Sequence, residues 1–119
     1  MLAACDPCED LVLNEASSPD AELKAVVFQR NCGATVGLNT QVSVLSDGLK
    51  LSDDEAVVFV VAPSQAMGEE AAKSGFVSVQ WEGSRQLLVT YDSRIEIFRQ
   101  KTQAGNLAIT YRERVVLNG

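Results

Sequence analysis

The stretch Leu23-Lys24-Ala25-Val26-Val27-Phe28-Gln29-Arg30 restricts the fold more than any other part of the chain. Side chains alternate from face to face along a strand, so Leu23, Ala25 and Val27 share one face and Lys24, Val26, Phe28 and Arg30 the other. Both faces are partly apolar, which predicts a strand inside a sheet rather than at its rim. Ahead of it stands Ser17-Ser18-Pro19-Asp20, a turn signal in which proline fixes φ and aspartate bonds back onto its own backbone. Behind it the chain runs into Cys32-Gly33. A strand buried on two faces needs a neighbour on each side, and the rest of the sequence offers several.

Leu11, Val12 and Leu13 lie among acidic residues and predict a short edge strand. Thr40 to Leu45 alternates Gln41 and Ser43 with Val42 and Val44, and Ser46-Asp47-Gly48 then turns the chain. Ser52-Asp53-Asp54-Glu55 is an acidic run that reads as a solvated turn, because it lacks the spaced oxygen ligands and glycine of a calcium loop. Ala56 to Ala62 is continuously apolar, too short for a helix, and ends at Pro63. Ser64 is placed to cap a short helix over Gln65 to Lys73, with Gly75 beyond its end. The last third is expected to be a meander of half-buried antiparallel strands, over Phe76 to Trp81, Gln86 to Asp92, Arg94 to Gln100 and the segment carrying Leu107, Ile109 and Tyr111. The expectation is a mainly β fold, either one antiparallel meander sheet or a small sandwich, with six to eight strands and one short helix. Residues 1–17 are expected to form a tether and residues 18–119 a single domain.

Charge and composition narrow the function. A net charge of −6 opposes nucleic acid, whose phosphates call for a basic surface. No apolar run reaches the ~20 residues of a spanning helix. The chain has no histidine, which removes Ser-His-Asp and Cys-His nucleophile pairs, His-ligated zinc and imidazole proton shuttles. Catalysis would have to rest on carboxylates, lysine, tyrosine or cysteine. No catalytic residue, cofactor or metal site is assigned on this basis.

Ser18-Pro19-Asp20, Leu23-Lys24-Ala25-Val26-Val27-Phe28, Arg30, Cys32-Gly33-Ala34-Thr35 and Thr40-Gln41-Val42-Ser43 together resemble a family of small exported bacterial proteins of unknown function. The family pattern runs close to S-P-D-G-x-L-K-A-V-V-F-x-R-D-C-G-A-T-T-x-x-S-T-Q-V-S and commonly follows a signal peptide or lipobox. The match covers residues 18–44. Ala21 stands where the pattern has glycine, which argues against a positive φ there; Asn31, Val36 and Asn39 are further departures. The resemblance implies export and topology, and no activity.

Leu2-Ala3-Ala4-Cys5 resembles the end of a bacterial lipoprotein signal, in which the cysteine is acylated. That reading expects basic and apolar regions before residue 1; the rival reading takes Met1 as the start and the tetrapeptide as coincidence. With lipid on Cys5, the domain is periplasmic or held at the membrane by that lipid alone, and Cys8 and Cys32 remain as an even pair expected to oxidise after export. Such a bridge closes a loop of about 25 residues, worth roughly 3 kcal/mol in the chain-entropy model. Cys5-Asp6-Pro7-Cys8 also has redox-motif spacing, and three thiolates would leave a zinc ion one ligand short.

Two places invite a ligand. Gly33, Thr35 and Asn39 belong to the loop after the first confident strand, which reads either as a binding loop or as a plain connection. Trp81, Tyr91, Phe98 and Tyr111 either line an apolar groove with polar tips or pack in the core, where the alternation puts Trp81 and Tyr91. The expected function is non-catalytic binding of another envelope protein; the alternative is a carboxylate-based enzyme or a small-molecule-binding domain.

Overall fold

The structure is a computed structural model that describes residues 9–31, 38–46, 56–63 and 77–115. Cys5, Cys8, Cys32, Gly33, Thr35, the acidic run at 52–55 and the helix expected over 65–73 lie outside the described residues. Among the described residues there are nine strands: β1 (Glu9–Ser17), β2 (Lys24–Asn31), β3 (Leu38–Leu45), β4 (Val57–Pro63), β5 (Val77–Gly83), β6 (Gln86–Asp92), β7 (Ile95–Gln100), β8 (Gln103–Ala104) and β9 (Leu107–Arg114). They form a five-stranded sheet, β1-β2-β3-β4-β7, and a four-stranded sheet, β5-β6-β9-β8. Of the two architectures expected, the small sandwich is the one adopted.

β2 sits between β1 and β3, and its apolar residues on both faces, Ala25 to Phe28, are buried. Ala25, Val27, Val42, Val44, Phe59 and Val61 of the five-stranded sheet meet Val77, Leu87, Val89, Leu107 and Ile109 of the other in one core. Phe59 is the largest link between the layers. It is fully buried, with its ring centroid 5.6 Å from that of Tyr91 and 5.0 Å from that of Tyr111.

The antiparallel meander expected for the last third is corrected by the structure. β6 and β9 pair in parallel, from Gln86 opposite Ala108 to Asp92 opposite Arg114. β7 follows β6 after two residues yet lies beside β4 in the opposite sheet. The cause is local. Asp92 Oδ1 accepts the Arg94 backbone N–H at 2.9 Å, its carboxylate holds the Arg94 guanidinium, and the Ser93 N–H donates to the Arg114 carbonyl. With those groups committed, the chain arches across the sandwich instead of folding back as a hairpin.

The edges are managed. β1 is a full nine-residue edge strand, fastened to β2 by the two-point pair of Arg30 with Asp10 and interrupted by a bulge at Leu13. On β7, Arg99 opposes Val60 and Ile97 opposes Val61, so Phe98 is an extra, bulged residue, and it is 66% exposed. A bulge flanked by Glu96 and Arg99 discourages a second strand from pairing there.

The turn at Ser18 overturns a second expectation. Ala21 adopts φ 63° despite its side chain. The Ser18 carbonyl accepts the Ala21 N–H, Asp20 Oδ1 accepts the Glu22 N–H, and the Ser18 hydroxyl accepts the Leu23 N–H while the Ser18 N–H donates to the Leu23 carbonyl. These bonds fix the path so tightly that alanine bears the left-handed conformation, at a cost of about 1–2 kcal/mol. Ala21→Gly relieves it and loses part of the gain to unfolded-chain entropy. The expected result is a urea midpoint raised by roughly 0.5–1 kcal/mol of added stability; an unchanged or lower midpoint would show the alanine to be unstrained.

Candidate functional site

The same turn forms one lip of a mouth that opens between the two sheets at one end of the sandwich. Its volume is about 740 Å³, inside the ~300–1,000 Å³ range of ligand clefts. The floor is aliphatic: Leu23 before β2, Val44 on β3, Ala56 just before β4 and Val58 on it, Ala104 on β8 and Leu107 on β9. The rim is polar, with Glu22, Ser46, Arg85 and Asn106. The turns end in polar residues because they leave the core there, and the alternation of β3, β4 and β9 sends their apolar residues inward to make the floor.

Arg85 organises the rim. It lies on the β5–β6 turn, whose backbone is pinned to β9 by the Ala108 N–H donating to the Arg85 carbonyl at 2.9 Å. Its guanidinium crosses to the other sheet, giving Nη1 to Asp20 at 3.2 Å and Nη2 to Glu22 at 2.6 Å. Asp20 is held in turn by the Ser18 hydroxyl at 2.7 Å. That hydroxyl and the Glu22 backbone N–H, with Arg85 beyond them, keep the Asp20 carboxyl below the usual carboxylate range. The carboxylates of Glu22 and Asp20 hold the guanidinium firmly charged. Arg85 thus clips the two sheets together at the mouth.

Of the residues expected to bind a ligand, Asn39, Trp81 and Tyr91 lie among the described residues, and none of the three lines the mouth. Asn39 lies on β3, where its Oδ1 accepts the Gln41 amide at 2.9 Å. Trp81 packs against the core, and its indole N–H donates to the Ala16 carbonyl at 2.8 Å, joining β5 to the edge strand β1. Tyr91 lies beside Phe59. Tyr111 donates its hydroxyl to the Lys101 carbonyl, and burial pushes its phenol well above the ordinary value. Of the four aromatic residues considered as a row, three pack inward and only Phe98 is largely exposed. The core alternative therefore holds for Trp81, Tyr91 and Tyr111.

Glu22 and Arg85 escaped the sequence reading. The partners of Arg85 lie 65 and 63 positions earlier in the chain. The one available signal was the residue chemistry of two turns, each carrying charge beside an apolar strand.

No family model, curated protein or solved structure matches this chain. The mouth must be interpreted from its own chemistry.

Proposed function

We propose that the chain is a binding module of the bacterial envelope that takes a segment of another envelope protein into the mouth between its sheets. The mouth itself carries the reading: an aliphatic floor for apolar side chains, under a rim whose charges are fixed in place by hydrogen bonds. Preformed clefts of this kind bind with little reorganisation. The described carboxylates with shifted acidity, Asp20 and Asp92, are both held below the usual range, which suits a fixed charge better than a group that exchanges protons near neutrality. The envelope setting is supported by Leu2-Ala3-Ala4-Cys5 and by the resemblance over residues 18–44. In that setting Cys5 bears the lipid and Cys8 pairs with Cys32.

The test is site-specific photocrosslinking in intact cells, with the photoreactive residue at Asn106 on the rim or at the exposed Gln80 on β5. A discrete protein adduct is expected at 106 and not at 80, and Ala104→Phe, which fills the mouth, should abolish it. Adducts at both positions alike, or at neither, would remove the mouth as the binding site.

A further inference from the structure

The preference of the mouth for its occupant can be read from the rim, an inference that rests on the mouth being the binding site. Arg85 is the one cation among the described lining residues, and it is answered by two carboxylates, Asp20 and Glu22. The clip therefore carries one net negative charge. Glu22 turns an oxygen to Arg85, yet its side chain stays 64% exposed, so a cation arriving at the mouth meets a carboxylate within reach. An anion meets the opposite situation: to reach Arg85 it must displace two carboxylates already bonded to it, one of them supported by the Ser18 hydroxyl. The chain's net charge of −6 works in the same direction at long range, drawing basic partners and repelling acidic ones.

Floor and rim together define a chemical class. The floor residues are Leu, Val and Ala, with no described aromatic face to stack a ring. We propose that the mouth selects a protein segment in which aliphatic side chains flank a lysine or arginine, the aliphatic groups seated over Leu23, Val44, Val58 and Leu107 and the cation placed beside Glu22. The apolar contact supplies most of the affinity, since an exposed ion pair contributes little. The carboxylate supplies the discrimination, chiefly by rejecting an acidic segment.

The experiment titrates the methyl-labelled protein with three capped peptides, Ser-Leu-Lys-Leu-Ser and its Glu and Gln counterparts, followed by the methyl resonances of Leu23, Val44, Val58 and Leu107. The Lys peptide is expected to bind at least about fivefold more tightly than the Glu peptide at low salt, with the ratio approaching one near 1 M salt as the charges are screened. Glu22→Gln should reduce the ratio at low salt, and Ala104→Phe should abolish the shifts with all three peptides. Equal binding of the Lys and Glu peptides, or a ratio untouched by Glu22→Gln, overturns the charge preference and leaves the mouth as a site. No methyl shifts with any peptide at millimolar concentration overturns both readings.

Discussion

Phe59→Ala is expected to destabilise the domain by about 3–5 kcal/mol, the range for deleting a buried phenylalanine where the surroundings close in only partly. Phe59 belongs to the upper part of that range. Its ring leaves β4 of one sheet and packs tilted at 48° and 40° against Tyr91 and Tyr111 of the other, and aromatic pairs of this kind add ~0.5–1.5 kcal/mol beyond the area they bury. Neither tyrosine is free to fill the gap, because the Tyr111 hydroxyl is bonded to Lys101 and both rings are carried by paired strands. Against a typical total of about 5–15 kcal/mol, the loss brings a small domain close to unfolding at body temperature. Phe59→Leu keeps much of the volume and should cost only about 1–2 kcal/mol. Urea unfolding followed by the fluorescence of Trp81, the single tryptophan, should show both midpoints fall with the slope unchanged. A cost below about 1 kcal/mol for the alanine would mean that the layers are joined elsewhere.

Much of this arrangement is legible in the sequence because it depends on local alternation. Ala25 to Phe28 announce a strand buried on both faces, and β2 is one. Gln86 to Asp92 forms β6 with the boundaries its pattern predicts. What alternation does not encode is which strands become neighbours. Leu107, Ile109 and Tyr111 fit a parallel partner as readily as an antiparallel one, and only the closed fold shows β9 running beside β6 in parallel. Ala21 departs from the expectation its side chain raises for a related reason. An alanine alone disfavours positive φ, but hydrogen bonds from three successive backbone N–H groups decide its conformation. The mouth was hidden for the same physical cause. Its clip joins turns more than sixty residues apart, and no spacing rule links them until the two sheets are stacked.

The arch between β6 and β7 makes the second large prediction, because a single carboxylate governs it. Asp92 is buried, and it accepts the Arg94 backbone N–H together with Nε at 2.9 Å and Nη2 at 2.8 Å. Asp92→Ala removes every one of these acceptors and leaves a backbone N–H without its partner, a loss of about 2 kcal/mol for hydrogen bonds of this charged kind. Asp92→Asn retains an oxygen for the backbone N–H and loses the ion pair, so its cost should be nearer 1 kcal/mol. The pH dependence separates the two contributions. Arg94, through its guanidinium and its backbone N–H, and the charge of Arg114 lower the Asp92 pKa. A carboxyl with a lowered folded pKa contributes its full stability above the unfolded value of about 3.9, and loses it as pH falls through the folded value below that. The wild type should therefore lose stability more steeply than Asp92→Asn below about pH 4. The variant keeps part of the acid limb, because Asp20 is lowered as well. Parallel acid limbs for the two proteins would show that the pair with Arg94 adds nothing beyond the backbone bond. The arch would then be held by Asp92 as a neutral acceptor and by the Ser93 N–H on Arg114, and the crossing of β7 between the sheets would owe nothing to charge.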